Sequence, residues 1–484
     1  LCSKGRFGYE FVSSPKRLKK PLIKKDGRFK EAGWDEALGL VATKFNEIKA
    51  ASGADSIGGL GSARLTNEEL YLFQHLIRQG IGTNNIDHNG RYQGLLALRE
   101  SLGGCGSTNS LYEIRKAKAI LLVRANLNET HPNVRIEVNL AVNRNRASLI
   151  VADNKRTLLS RQAQANLIYK PGTEVALING IINKIIQLEL ADNTFVNNKI
   201  NGLEALQASI ERYTPEYVER ICGVSSQELE LAAMAYAKAE KACIIVAAGT
   251  GLVGNDRDIA LAASNLALIT GNIGKESCGV YILPEKNNSQ GALDMGAVPG
   301  LLPGYKPAGK TGLGMMEMLE PGRLKAMYIA GENPVLTYPL PDVRGVLDKL
   351  EFLVVQDMFM TPTAELADVV LPASSFAEKE GTYTNLERRI QRLKKILPCM
   401  GESRPDLEIF IDLCTRFGCD VPDDVWQGIK AGNIAPIPAS NFLTDTWKGK
   451  FIPVECGETP LAEDGKLLLV SSPSHLYSGS MSAW

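Results

Sequence analysis

The chain has 484 residues, with 54 Lys+Arg against 54 Asp+Glu, a formal net charge of +0 and a pI near 7.1. Such a balance gives no global field to draw nucleic acid or an anionic membrane, so partners must be recruited by specific contacts. The length exceeds what a single hydrophobic core usually serves and predicts several structural units. Nine cysteines are scattered with no C-x-x-C pair, which reads as reduced thiols of a cytoplasmic protein and not as a disulfide framework. No apolar run reaches the roughly 18 residues of a membrane-spanning helix, so no direct membrane span is expected. Both ends read as cut: LCSKGRFG starts without an initiator Met and HLYSGSMSAW stops in mid-pattern, so the chain reads as a fragment.

Helical periodicity opens at Trp34–Lys49 and returns at Asn67–Gln79. Between them lies a loose glycine loop, Gly58–Gly61, after an apolar start. Ile81–Gly94 (IGTNNIDHNGRYQG) contains Asp87 and His88, a candidate acid–base pair for which an ordinary turn is the favoured alternative. Short apolar runs follow at Ala119–Val123, Ser148–Ala152, Cys243–Ala248, Ala326–Ala330 and Phe352–Gln356, rich in Ile, Val and Ala. Each is short enough to be a strand buried on both faces, and each is separated from the next by room for a crossover helix. Helices are expected at Glu174–Leu188, Ser225–Lys238, Asp256–Leu268 and Asp406–Phe417. The fold class is therefore α/β, multidomain, with doubly wound and mainly parallel sheets.

Ligand sites in such folds lie at the carboxyl edges of strands. His131, in NLNETHP, and Asp153, in VADNKRT, sit at two of these edges; the alternative is that both cap loops and helices. Gly249-Thr250-Gly251-Leu252-Val253-Gly254 is a G-x-G-x-x-G between a strand and a helix, compatible with phosphate contact or with a tight turn. No acidic residue follows at the spacing of a nicotinamide site. Asn287–Gly314 is punctuated by glycine and proline and is expected to be functional or a domain crossing. Cys414 and Cys419 read as core packing, and the run Glu387-Arg388-Arg389 with Arg392, Lys394 and Lys395 as a solvated face or a dock for an acidic partner. No internal repeat is evident.

Taken together, NNIDH, NLNETHP, VADNKRT, PGTEVALING, ALITGNIGKESCGV, NNSQGALDMGAVPGLLPGY, AGENP and ELADVVLPASSFAEKEGTYTNLERRIQ resemble the molybdopterin oxidoreductase family, in that family's order and over essentially the whole chain. The resemblance implies a formate dehydrogenase/DMSO reductase-like fold. It divides the chain into 1–49 (end of an iron–sulfur domain), 50–88 plus 286–398 (a discontinuous first α/β domain), 89–285 (a second Rossmann-like domain), 399–465 (return segment and linker) and 466–484 (start of a C-terminal domain). It implies that Cys2 is the last ligand of a [4Fe–4S] cluster with Lys4 between cluster and pterin. Asn126, Glu129, Asp153, Glu174 and Gly251 would surround molybdopterin guanine dinucleotide.

Three positions depart from the formate dehydrogenase pattern. Gln93 stands where the metal-binding Cys or selenocysteine would be, Gly94 where a His would follow, and Pro284 where an anion-binding Arg would be. A neutral carboxamide is a poor substitute for a soft, deprotonated ligand, and neither glycine nor proline supplies a base or a cation. GSARLTNEELYLFQ before IGTNNIDH is similar to the large G subunit of bacterial NADH-quinone oxidoreductase. That likeness implies a scaffold beside an iron–sulfur relay, partnered by other subunits of the peripheral arm and held on the cytoplasmic side of the inner membrane. The alternative is an active formate dehydrogenase-like α subunit. A third, weaker reading is an independent nucleotide-binding enzyme.

Overall fold

The computed structural model describes residues 3–248, 255–338, 340–421 and 442–457. Its principal strands, in chain order, are β1 (Leu22–Lys25), β2 (Arg28–Glu31), β3 (Ile57–Gly61), β4 (Ile86–His88), β5 (Ala119–Val123), β6 (Ser148–Asp153), β7 (Ala165–Ile168), β8 (Ala242–Ala247), β9 (Gly279–Leu283), β10 (Ala326–Ala330), β11 (Phe352–Asp357) and β12 (Val369–Pro372). The helices that position the site are α1 (Trp34–Ser52), α2 (Asn67–His75), α3 (Gln93–Leu102), α4 (Pro132–Asn145), α5 (Glu174–Gln187), α6 (Asp256–Ile269) and α7 (Asp406–Arg416). The five expected strands are β5, β6, β8, β10 and β11. Every residue of β5, β8 and β10 is buried, the condition under which a strand reads as an unbroken apolar run.

A seven-stranded sheet runs β2-β1-β12-β11-β10-β3-β4 and a five-stranded sheet runs β9-β8-β5-β6-β7. The smaller sheet is parallel throughout. In the larger one β12, β11, β10, β3 and β4 are parallel. Its antiparallel edge, β1 and β2, comes from the segment expected to close an iron–sulfur region. The strand order reverses between β5 and β8 in one sheet and between β3 and β10 in the other. Outward from these switch points, β5-β6-β7 and β10-β11-β12 follow the same course, and β6 and β11 both end on aspartate, Asp153 and Asp357. The fold thus contains a topological repeat that the sequence does not display.

Gly58–Gly61 is strand β3 and not a glycine loop. A Cβ on Gly58 would come within 2.6 Å of Leu324 and one on Gly59 within 2.6 Å of Ile77, so these glycines allow side chains to close over both faces. Asp87 and His88 lie in buried β4 and not in a turn.

Helix α2 opens with a capping box, in which Thr66 Oγ1 accepts from the Glu69 N–H and Glu69 accepts from the Thr66 N–H. It gives way to a π-helical turn, Leu76–Ile81, which places Arg78 inside the protein. The guanidinium donates to the carbonyls of Gly296 (2.7 Å), Val298 (2.7 Å) and Leu301 (2.9 Å), and to Gln74 (2.9 Å) and Asn84 (2.9 Å). These bonds fix the irregular crossing that brings the chain from the smaller sheet back to the larger. Asn85 accepts from the Leu313 N–H and Asp87 from the Met315 N–H, extending the same grip.

Lys379 is buried between Glu69 (2.8 Å) and Asp406 (2.7 Å), tying its segment to α2 and α7. Removing one partner of a buried ion pair leaves an uncompensated charge. Lys379→Met is therefore expected to lower stability by about 3–5 kcal/mol, read from the denaturant midpoint. Arg78→Ala strips a donor from three backbone carbonyls and is expected to cost about 3 kcal/mol or more by the same measurement.

Candidate functional site

A crevice of about 480 Å³ opens at the switch point of the larger sheet. Ser62 and Arg64 beyond β3, Gly331 and Asn333 beyond β10, Asp357 and Ser374 line it. Asn333 Nδ2 and Ser374 Oγ are buried there without a protein partner. Burial raises the Asp357 carboxyl to about 7, against the N–H groups of Met358 and Phe359, which hold it down.

The carboxyl edge of the smaller sheet carries a cluster of charges. Arg124, directly after β5, has φ +54 and is buried, and it pairs with Asp256 at the first turn of α6. Glu174 begins α5 and is buried; burial raises its carboxyl and Arg124 lowers it, while Tyr169 hydrogen-bonds to it. Burial lifts Asp153 to about 6. The predicted Asp153 and Glu174 are thus brought within electrostatic reach of each other, and Arg124 acts on Glu174 and Asp256. Asn126 and Glu129 lie half-buried in the loop that follows Arg124; the Asn126 carbonyl accepts from the N–H groups of Glu129 and Thr130. Cys2, Gly251 and the whole Gly249–Gly254 motif lie outside the described residues, and of Lys4 only the backbone, in the helix Ser3–Phe7, is described.

His131 occupies the N-cap position of α4, ahead of Pro132, without capping it through its side chain. Its Nε2–H donates instead to the Pro284 carbonyl at 3.0 Å, and burial lowers its pKa. Arg388 is buried, a departure from the solvated face expected of its run, whereas Arg389, Arg392, Lys394 and Lys395 are exposed. Cys414 is buried in α7, as its packing role required, and every described cysteine is a free thiol.

A second crevice, also about 480 Å³, is lined by Asp87, His88, Gln93, Asp256, Glu285 and Lys286. Gln93 is exposed at the first position of α3. Gly94 packs against α6, where an added Cβ would sit 3.2 Å from the Asp256 carbonyl oxygen. Sequence reasoning missed Arg124, Asp256 and Asp357. The signal available for Arg124 and Asp357 was their place directly after apolar runs that the sequence did reveal, and for Asp256 its place as the first residue of an expected helix.

Residues 17–416 match the family model described as "Molybdopterin oxidoreductase". The chain belongs to the molybdopterin oxidoreductase family. It is 38% identical to the F420-dependent formate dehydrogenase subunit alpha of Methanocaldococcus jannaschii, over 95% of this chain and 75% of that protein. Against F420-dependent formate dehydrogenase 1 subunit alpha of Methanococcus maripaludis it is also 38% identical, over 86% of this chain and 64% of that one. The Bacillus subtilis relative YjgC is 37% identical over 90% of this chain, which spans only 47% of YjgC. Among solved structures, acetylene hydratase from Pelobacter acetylenicus superposes with a TM-score of 0.73 at 20% identity, covering 94% of this chain and 72% of that one, a likeness of fold. No helix among the described residues is long and apolar enough to cross a membrane.

The family implies a molybdopterin cofactor, and the crevices at the sheet edges offer polar side chains that could hold it. Both crevices are concave, with a mainly apolar lining set with a few polar groups, and in the first the unpartnered atoms of Asn333 and Ser374 call for a hydrogen-bonding occupant. A metal is less well served by the protein itself. Among the described residues no three His, Cys, Asp or Glu side chains stand together as a metal site, and Gln93 presents a neutral amide.

A carboxyl raised above its unfolded pKa of 3.8 contributes most stability below that value and loses the contribution as pH rises through the folded value. For Asp357 the loss spans about pH 4 to 7. Asp357→Asn should therefore unfold later than the native protein at pH 8, by up to about 4 kcal/mol, with the gain vanishing near pH 4. Equal effects at both pH values in denaturant titrations would contradict this assignment.

Proposed function

We propose that the chain is the pterin-binding region of a formate dehydrogenase-like molybdopterin oxidoreductase α subunit in which Gln93 replaces the metal-facing thiolate. The observation that carries the reading is likeness to formate dehydrogenase α subunits across 86–95% of the chain at 38% identity. The geometry agrees with it: Gln93, Asp256 and Glu285 converge on one crevice at the carboxyl edge of the smaller sheet. When bound, the molybdopterin centre supplies the redox chemistry. Arg124 and Asp256 neutralise each other beside that crevice, and α6 is held there with its first turn facing Gly94. Asp87 accepts the N–H groups of His88 and Met315, each at 2.8 Å, so that its carboxyl supports the crevice wall and does not act as a free base.

A second reading is favoured by the simultaneous departures at Gln93, Gly94 and Pro284. It is the G subunit of an NADH-quinone oxidoreductase, a scaffold beside [4Fe–4S] relay centres that docks with peripheral-arm subunits. Molybdenum, tungsten, iron and pterin contents of the full-length protein purified without oxygen, together with formate-dependent dye reduction, separate the two. The first reading expects pterin with molybdenum or tungsten, and turnover that falls more than about tenfold in Gln93→Ala. Iron without pterin or either metal would leave the scaffold.

A further inference from the structure

Cys414 and Cys419 are five residues apart, a separation that would splay two side chains on one continuous helix. The helix does not continue. Helix α7 ends at Arg416, Phe417 closes it, and Gly418 turns the chain with a left-handed φ of +69. The Cys419 N–H donates to the Cys414 carbonyl at 3.0 Å and the Gly418 N–H to the Thr415 carbonyl at 3.1 Å, the pair of bonds that defines a Schellman motif. That motif folds its last residue back over the residue five before it, where a hydrophobic contact commonly sits. Here both members of the contact are cysteines. Cys419 Sγ lies 3.4 Å from the Cys414 carbonyl oxygen, and each thiol acts directly on the titration of the other.

The two sulfurs differ in access. Cys414 is fully buried in the core shared by α1, α2 and α7. Cys419 is partly exposed and rests on the π-helical turn, where a Cβ on Gly80 would meet its Sγ at 3.4 Å. The chain beyond it is held to α2, since His75 Nε2–H donates to the Asp420 carbonyl at 2.6 Å. Burial raises both thiols above their ordinary range, and the Asp420 carboxylate raises Cys419 further. The pair is therefore not poised for fast nucleophilic chemistry. What the turn supplies is proximity, and the burial that penalises a thiolate does not penalise an uncharged disulfide.

We propose that Cys414 and Cys419 form a reversible disulfide in the folded protein, a modification site at the C-terminus of α7. The oxidant is a small-molecule disulfide such as oxidised glutathione, and the reaction is two successive exchanges. Cys419, as its thiolate, attacks one glutathione sulfur; the mixed disulfide forms, and the first glutathione leaves with the proton that Cys419 gave up. Cys414, too buried to meet glutathione itself, then displaces the second glutathione from Cys419 and passes its proton to it. Two protein thiols are oxidised and one glutathione disulfide is reduced to two thiols. Because the turn exists only in the folded chain, folding favours the pairing, and the disulfide stabilises the fold by the same factor.

The test is equilibration of the full-length protein under inert gas with mixtures of reduced and oxidised glutathione, followed by acid quenching, alkylation of free thiols and tryptic mass mapping. Cleavage after Arg416 separates the two cysteines, so their disulfide appears as two peptides joined together. Expected are this joined pair, its reversal by excess reduced glutathione, and an equilibrium constant at least about tenfold larger in native than in guanidinium-unfolded protein. Cys419→Ala should leave Cys414 free of glutathione, and Cys414→Ser should retain glutathione on Cys419. A mixed disulfide on Cys419 as the end product in the unsubstituted protein, pairing of either residue with another cysteine, or equal constants in native and unfolded protein would overturn the proposal. The comparison of native with unfolded protein needs no substitution, so it decides even if Cys414→Ser fails to fold.

Discussion

The arrangement of both crevices depends on one buried cation. Arg78 spends all of its donors on the return crossing and its neighbours, and burial has lowered its pKa only to about 10, so it keeps its charge at neutral pH. An ammonium could not do this, because three donors on a point cannot meet acceptors arranged around a plane. The π-helical turn is part of the same device, since it is the local irregularity that aims the side chain inward. The segment TNNIDH, which stood out in the sequence, is explained largely by this crossing. Thr83 and Asn85 bind Asp55, Asn84 binds the Lys310 carbonyl, and Asp87 caps the return at Met315.

Much of the scaffold was legible because buried parallel strands have to be apolar along their whole length. Ala119–Val123 and Ala326–Ala330 are recognisable for that reason alone. Helix α3 was harder to read: it follows a glycine-containing turn, lacks a capping residue, and begins at the very position read as a departure from a motif. β4 has three residues, two of them Asp87 and His88, and although it is an edge strand of the larger sheet it is buried, with the return segment bonded over it through the Met315 N–H to Asp87. Arg124 illustrates a different limit. Nothing in a sequence window says that an arginine adopts a left-handed conformation and turns into a cluster of carboxylates contributed from far along the chain.

The repeated course β5-β6-β7 and β10-β11-β12 shows how topology preserves what side chains lose. VADNKRT and VVQDMFM share little beyond the aspartate at the strand end, yet both aspartates stand one strand out from a switch point and both are raised by burial. The chemical individuality of the protein sits elsewhere, in the short stretch from His88 to Gly94.

The smaller sheet is built wholly from residues between β4 and the return crossing, so it forms an insertion within the larger one. That nesting has a kinetic consequence. The smaller sheet and its helices can close on themselves from one continuous stretch, whereas β10 cannot pair with β3 until chain ends separated by the entire insertion have been brought together. Loop-closure entropy grows with the intervening length, and a compact insertion shortens the effective loop. The larger sheet should therefore complete itself late, after the inserted unit has collapsed, with Arg78 closing over the crossing as the two halves meet.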